Sequence, residues 1–303
     1  MSSAESHAKF DPASHWTAPA RNFRTSARLH LQHLLFQNTL GGLVLERRIE
    51  NSLSSATDIR VADLGCGNAV WLCDLHHALS AVKPGVNLQL QGFDINPLNF
   101  PAASFLPKST TLSTLDVLAR PLPAELQGVF DVVHVRAFLS IIHHGDLAPL
   151  LTSVLALLKP GGWLQWEETR ADRFVATSPS SDVSANACDT MISIIDAGGK
   201  ASGFDFAFLD SLETHITRHG FEDVQVRYVD KRTSDLKAWT EDYLMVWEEL
   251  SGLFPSREDI PQAPMTREAF EELFMKAVAE TEAGVVIHQK NVAISSGRKP
   301  VST

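Results

Sequence analysis

Asp63-Leu64-Gly65-Cys66-Gly67-Asn68-Ala69 stands where the apolar run Ile59 to Leu64 gives way to a helical pattern. Glycine at such a junction lets the backbone turn tightly and approach a ligand closely. The helix that follows offers free N–H groups and the positive end of its dipole. The loop therefore suits a nucleotide-like cofactor, although Val70 stands where a dinucleotide fingerprint has its third glycine. Two more acids follow at strand ends, Asp94 in Gly92-Phe93-Asp94-Ile95 and Asp116 in Leu115-Asp116-Val117. An acid at the first position can accept from two ribose hydroxyls, and at the second from an exocyclic adenine amine. Alone, each reads as well as a helix cap or a turn acid. Three acids at the carboxyl ends of successive strands mark the edge where doubly wound sheets bind ligands.

The elements that must hold these residues follow from periodicity. Strands are expected at Ile59 to Leu64, Leu88 to Asp94, Thr110 to Leu115, Phe130 to Val135 and Trp163 to Glu167. Between them, Leu72, Leu75, Leu79 and Val82 step at helical spacing, and Leu147 to Leu158 is a strongly apolar helix closed by Lys159-Pro160-Gly161-Gly162. Strands alternating with helices predict an α/β, doubly wound, mostly parallel sheet. Before it, residues 1–22 read as a loose arm and 24–51 as two helices broken at Gly41-Gly42. After it come a helix at Ala185 to Ala197, one at Phe206 to His219 with Gly220 at its end, and a sixth strand around Val224 to Tyr228. Two amphipathic helices, carrying Trp239, Tyr243, Val246 and then Phe270, Phe274, Ala277, precede a last strand at Val285 to Ser295. The division expected is an N-terminal arm and helices over 1–57, and a catalytic domain over 58–303 with helical insertions near 171–204 and 236–283.

Composition narrows the function. The 303 residues carry a net charge of −10 and 44% hydrophobic residues. A sizeable core can form, and nucleic acid is an unfavourable partner for so acidic a chain. Met1 to Phe10 lacks the apolar stretch of a signal peptide, and no run reaches the roughly 20 apolar residues that span a bilayer. Cys66, Cys73 and Cys188 form neither a disulfide framework nor a zinc ribbon. A cytoplasmic protein with no membrane partner and no metal is expected.

Val61-Ala62-Asp63-Leu64-Gly65-Cys66-Gly67, Gly92-Phe93-Asp94-Ile95, Leu115-Asp116, Phe130-Asp131-Val132-Val133-His134 and Leu157-Leu158-Lys159-Pro160-Gly161-Gly162 resemble the motif series of class I S-adenosylmethionine-dependent methyltransferases. The resemblance covers residues 58–168. Trp71-Leu72-Cys73-Asp74-Leu75, Phe100-Pro101 and Gly162-Trp163-Leu164-Gln165-Trp166-Glu167-Glu168 further resemble a fungal group acting on small molecules in secondary metabolism. The resemblance implies a seven-stranded Rossmann-like sheet, with the N-terminal and inserted helices as a lid. It implies S-adenosylmethionine as cofactor. Asp63, Gly65, Cys66 and Gly67 would wrap its methionine part, and Arg28 would reach its carboxylate from a closing N-terminal helix. Asp94 would bind the ribose hydroxyls with Ile95 against adenine, and Asp116 the adenine amine with Val117 beside it. Arg136 joins this cofactor set from the end of the fourth strand. The family's third loop glycine is Ala69 here.

Methyl transfer needs positioning and exclusion of water more than acid–base machinery. A hydroxyl acceptor also needs a base. His143 and His144 follow the fourth strand, and histidine is a natural base near neutral pH. Glu167 and Glu168 end the fifth strand, where a carboxylate can orient a hydroxyl or neutralise an ammonium. The expected activity is methyl transfer to a small-molecule acceptor. Two alternatives share the loop and acids: an enzyme that binds the cofactor but catalyses a rearrangement or cyclisation, and a non-catalytic regulator. A nicotinamide-dependent enzyme is disfavoured by the missing third glycine and by the Leu-Lys-Pro-Gly-Gly turn.

Overall fold

A computed structural model of the chain describes residues 22–42 and 44–301. The N-terminal arm, but for Asn22, and Leu43 lie outside the described residues. The parallel strands are β1 (Asp58–Leu64), β2 (Asn87–Asp94), β3 (Thr110–Thr114), β4 (Phe130–Arg136) and β5 (Leu158–Thr169). With β7 (Glu222–Asp230) and β9 (Asn291–Arg298) they form one sheet in the order β3-β2-β1-β4-β5-β9-β7. β9 runs antiparallel to both of its neighbours, so the sheet is mixed only at that edge. The strand order reverses between β1 and β4, and ligands of such sheets bind beyond the carboxyl ends at that point.

Alternation along each strand loads both faces. Ile59 and Val61 of β1 face α2 (Arg47–Ser52) and α3 (Val70–Val82), through Ile49, Leu72 and Leu75. Ala62 and Leu64 belong to the opposite core, filled by α4 (Ala148–Leu157) and α6 (Leu212–Arg218). A third cluster joins α1 (Phe23–Thr39), α5 (Asn186–Ala201), α7 (Leu236–Leu250) and α8 (Arg267–Glu282) around Phe36, Met191, Trp239, Trp247 and Phe270. These helices form a roof beyond the strand ends.

The departures from the expected elements have local causes. Lys159 to Gly162 lie inside β5 as a bulge: Phe130 pairs with Leu158 but Val132 with Trp163, with Gly161 at φ +80°. The helix expected at Phe206 to His219 is a 3₁₀ turn, Ala207–Asp210, followed by α6, because Ser211 leaves the helical region, with φ −127° and ψ 25°. The last strand is two: β8 (Val286–His288) pairs with the short β6 (Val175–Thr177), while β9 enters the main sheet. Three-residue strands carry too little periodicity to be read from sequence.

Candidate active site

The loop between β1 and α3 takes its shape from left-handed backbone. Gly65 has φ +69° and Gly67 φ +54°. A β-carbon on Gly65 would stand 2.5 Å from the Phe138 ring, and one on Gly67 2.8 Å from Leu29. Ala69, where the third glycine was missed, also has positive φ, at +62°. An alanine tolerates this region at a modest cost, so the turn survives the substitution. The buried Asp94 carboxylate accepts from Gly67 N–H (2.9 Å) at Oδ2 and from Asn96 N–H (2.9 Å) at Oδ1. Each oxygen keeps a lone pair. Asp116 is exposed and accepts from Leu118 N–H (2.9 Å) in an Asx turn.

These residues border one cavity of about 1030 Å³. Ordinary small-molecule sites run to roughly 1,000 Å³, so there is room for two ligands side by side. All ten residues expected to hold the cofactor lie on its wall: Arg28, Asp63, Gly65, Cys66, Gly67, Asp94, Ile95, Asp116, Val117 and Arg136. The Cys66 thiol is pushed far above its ordinary pKa by burial, then by Asp63 and Asp94, so it is no nucleophile. Arg28 is not a free cation. Its guanidinium is held by Glu249 of α7 at 3.2 Å, which ties α1 to α7.

Of the four residues expected to do chemistry, His143 and Glu168 reach the cavity, and His144 and Glu167 are absent from its wall. His144 is exposed, with its ring against Gly203. Adjacent residues diverge, and the turn puts only His143, packed at 4.9 Å from the Phe204 ring, toward the cavity. Glu167 is fully buried and accepts from Arg136 Nε at 2.6 Å. Burial alone would raise its carboxyl, but Arg136 and His134 pull it down to about 2. It is a fixed anion, not a base. Glu168 is the reverse case. Burial pushes it up to about 7, against the pull of N–H donors from Phe138, Trp166 and Thr169.

Behind Glu167 runs a network that the sequence did not reveal. Arg136 also donates to His33 Nδ1 (2.8 Å), and His33 Nε2 donates to Asp74 (2.9 Å). Burial, then Arg136, lowers the His33 pKa, which suits this neutral tautomer. On the other side His134 Nδ1 donates to Asp63 (2.7 Å), and its ring stacks on Trp71 at 3.6 Å. Asp74 and Trp71 stand in the Trp-Leu-Cys-Asp-Leu segment, which carries the family resemblance in sequence but assigns neither side chain a role.

The roof brings a second missed group. Asp242 is fully buried on α7 and borders the cavity. Burial raises its carboxyl to about 6, with Arg28, Gln32 and Lys231 opposing. The signal was present: Asp242 lies three residues after Trp239 and four before Val246, inside an apolar stripe. Lys231 is buried behind it, lowered to about 7 by burial, and bonded to the Tyr243 hydroxyl (2.5 Å) and to Gln289.

Among known proteins, a methyltransferase domain family matches residues 36–226, more than half of the chain. Methyltransferase grgD of a Penicillium species is 32% identical over 159 residues, covering 52% of this chain and 53% of that protein. N-methyltransferase tcpN of Claviceps purpurea is 34% identical over 155 residues, covering 50% of this chain and 51% of that protein. N-methyltransferase verN of Clonostachys rogersoniana is 30% identical over 162 residues, covering 52% of this chain and 51% of that protein. The chain thus spans about half the length of the curated relatives it matches. A solved structure of Haemonchus contortus phosphoethanolamine N-methyltransferase 2 with S-adenosyl-L-methionine superposes with a TM-score of 0.50 at 16% identity, covering 96% of this chain and 60% of that one. That likeness is one of fold.

Proposed function

The chain belongs to the class I S-adenosylmethionine-dependent methyltransferase family, and from that premise we propose that it methylates a nitrogen of a small molecule made in secondary metabolism. The observation that carries the reading is the cradle at the strand ends. Gly65 and Gly67 leave space that a β-carbon would fill, and the Asp94 carboxylate stands beside them with a free lone pair on each oxygen. These donors and acceptors fit S-adenosylmethionine, whose ribose needs acceptors and whose methionine needs close backbone. The nitrogen acceptor is supported by relatives described as N-methyltransferases. No described helix is long and apolar enough to cross a membrane.

When bound, S-adenosylmethionine supplies a methyl group already activated on a sulfonium. Gly65 to Gly67 and Asp63 would hold the methionine part, with Arg136 at the rim; Arg28, held by Glu249, would reach its carboxylate only by exchanging that partner. Asp94 would hold the ribose hydroxyls, Ile95 and Val117 would flank the adenine, and Asp116 would take its amine. The helices α1, α5 and α7 close over the strand ends as a lid and exclude water. Glu168, raised to about 7, and His143 are two groups on the wall placed to take the proton an N–H acceptor loses.

The test has two arms. Calorimetry with S-adenosylhomocysteine should show binding that Asp94→Ala weakens at least tenfold, since a hydrogen bond to a charged group is worth about 1.5–3 kcal/mol. The product, formed from a nitrogen-bearing acceptor, should gain one CH2 in mass. An isomeric product would replace methyl transfer with rearrangement, and no binding would leave a non-catalytic regulator.

A further inference from the structure

The roof side of the cavity is built unlike the strand side. Phe174 meets Tyr243 edge to face at 4.9 Å and Trp247 at 5.8 Å, and all three rings border the cavity. Within this aromatic wall sits one carboxylate, Asp242. Its Oδ2 accepts a long bond from Gln32 Nε2 at 3.4 Å, and its Oδ1 is buried without a partner. An unsatisfied buried carboxylate oxygen costs more than an exposed one, so such a group persists where something else satisfies it. The nearby cations do not. Arg28 is spent on Glu249, and Lys231 donates to Tyr243 and Gln289.

We infer that Asp242 and the aromatic wall of Phe174, Tyr243 and Trp247 form the acceptor subsite, and that it selects a basic amine carried on an aromatic or apolar body. The inference rests on the methyltransferase reading of the cavity and adds the class of acceptor and the residue that reads it. A protonated amine donates to Oδ1, which balances its charge; it passes one proton to the Glu168 carboxylate before its freed lone pair attacks the methyl group, and its body stacks on the rings, where a cation also gains from the ring faces. An alcohol of the same shape gains only a neutral donor bond, and a carboxylate is repelled. Asp242 is therefore a positioning group for the acceptor, on the helical roof rather than at the strand ends.

The experiment uses the whole chain saturated with S-adenosylhomocysteine, and titrates 2-phenylethylamine, 2-phenylethanol and phenylacetate as probes. The amine should bind at least tenfold tighter than the alcohol, and phenylacetate should not bind. Asp242→Asn should bring amine and alcohol within twofold of each other and leave S-adenosylhomocysteine affinity within twofold of the parent. Trp247→Ala should weaken both probes. A second measurement varies pH. Between pH 5 and 6.5 amine affinity should rise about fivefold to tenfold as Asp242 ionises, while alcohol affinity stays level. Arg28 and Gln32 from α1, Glu249 from α7 and Lys231 beyond β7 face Asp242; Lys231, lowered to about 7, begins to lose its proton at the upper end of that range, so the rise is assigned to Asp242 only if Asp242→Asn abolishes it. Equal amine and alcohol affinity in the parent, or an amine affinity untouched by Asp242→Asn, overturns the proposal. Absent S-adenosylhomocysteine binding overturns the cofactor reading instead, and the probe titrations repeated without it still test Asp242.

Discussion

The strand-end rim and the helical roof enclose the same cavity by different means. The rim uses backbone at positive φ and short acids at the ends of β1 and β2, so its geometry comes from the sheet register itself. The roof uses long side chains on helices, and it holds charges that burial disfavours: Asp242 raised to about 6, Lys231 lowered to about 7. On the proposed reading, one wall recognises a constant ligand through backbone fixed by the sheet. The other is a surface of side chains, which substitution can retune without disturbing the sheet. Arg136 and Glu167 stand on the seam, and they are the first place to break the comparison.

Glu167→Gln should have the largest effect, and on stability. It leaves the Arg136 guanidinium, one tenth exposed, without its anion. Breaking a buried pair costs about 3–5 kcal/mol, which lowers Tm by about 5–15 °C. Thermal melting measures it. An unchanged Tm would mean that the seam carries no strain between rim and roof.

The pH dependence of stability separates the buried acids next. Glu168, raised by burial to about 7 from its ordinary 4.5, contributes stability that is whole below pH 4.5 and lost as pH rises through 7. Asp242 behaves alike between 3.8 and about 6. Lys231, lowered to about 7 from 10.5, contributes stability that is whole above 10.5 and lost as pH falls through 7. The ligand-free protein should therefore melt lowest near pH 7 and higher at pH 5.5 and at pH 9. Each group is worth on the order of 3 kcal/mol. Glu168→Gln should flatten the acid limb alone. His33, lowered by burial, opposes this limb, so the decisive comparison is with the parent: an acid limb that Glu168→Gln leaves unchanged would contradict the raised carboxyl.

Gly65→Val tests the rim by itself. The new β-carbon meets the Phe138 ring, and the positive φ adds backbone strain. Affinity for S-adenosylhomocysteine should fall at least about 100-fold, equivalent to about 2.7 kcal/mol, with the far-UV spectrum unchanged. Binding of an amine probe on the roof should survive. Loss of both ligands together would show that the two walls are one site.

The rim was legible because its chemistry lies at element ends, where glycine and acids punctuate apolar runs. Asp63, Asp94 and Asp116 are named by position alone. The roof was legible only as amphipathic helix: Trp239 and Tyr243 mark its apolar stripe, and both are buried together with Trp247. Asp242 was hidden because one acid in an apolar stripe looks like a lapse in the period. Glu167 and Glu168 were singled out as a pair, but sequence cannot say which adjacent carboxylate meets a guanidinium and which faces a cavity. That depends on Arg136, opposite Glu167 in the β4–β5 register. Pairing across strands is long-range information, absent from any local window.

The smallest expected effect lies within the rim. Asp94 is buried at the cavity edge and held by two backbone N–H groups, whereas Asp116 is exposed and its Oδ1 closes a turn with Leu118. Water screens and competes for an exposed acceptor, so its bond to an adenine amine is worth about 0.5–1 kcal/mol. Asp116→Asn keeps an oxygen for the turn and removes the charge. S-adenosylhomocysteine affinity should drop about twofold to fivefold, well short of the loss from Asp94→Ala, and stability should stay put. If Asp116→Asn matched Asp94→Ala, the adenine end of the site would be closed over in the complex, and the lid formed by the roof helices would have to reach further along the strand ends than α1 and α7 do in this structure.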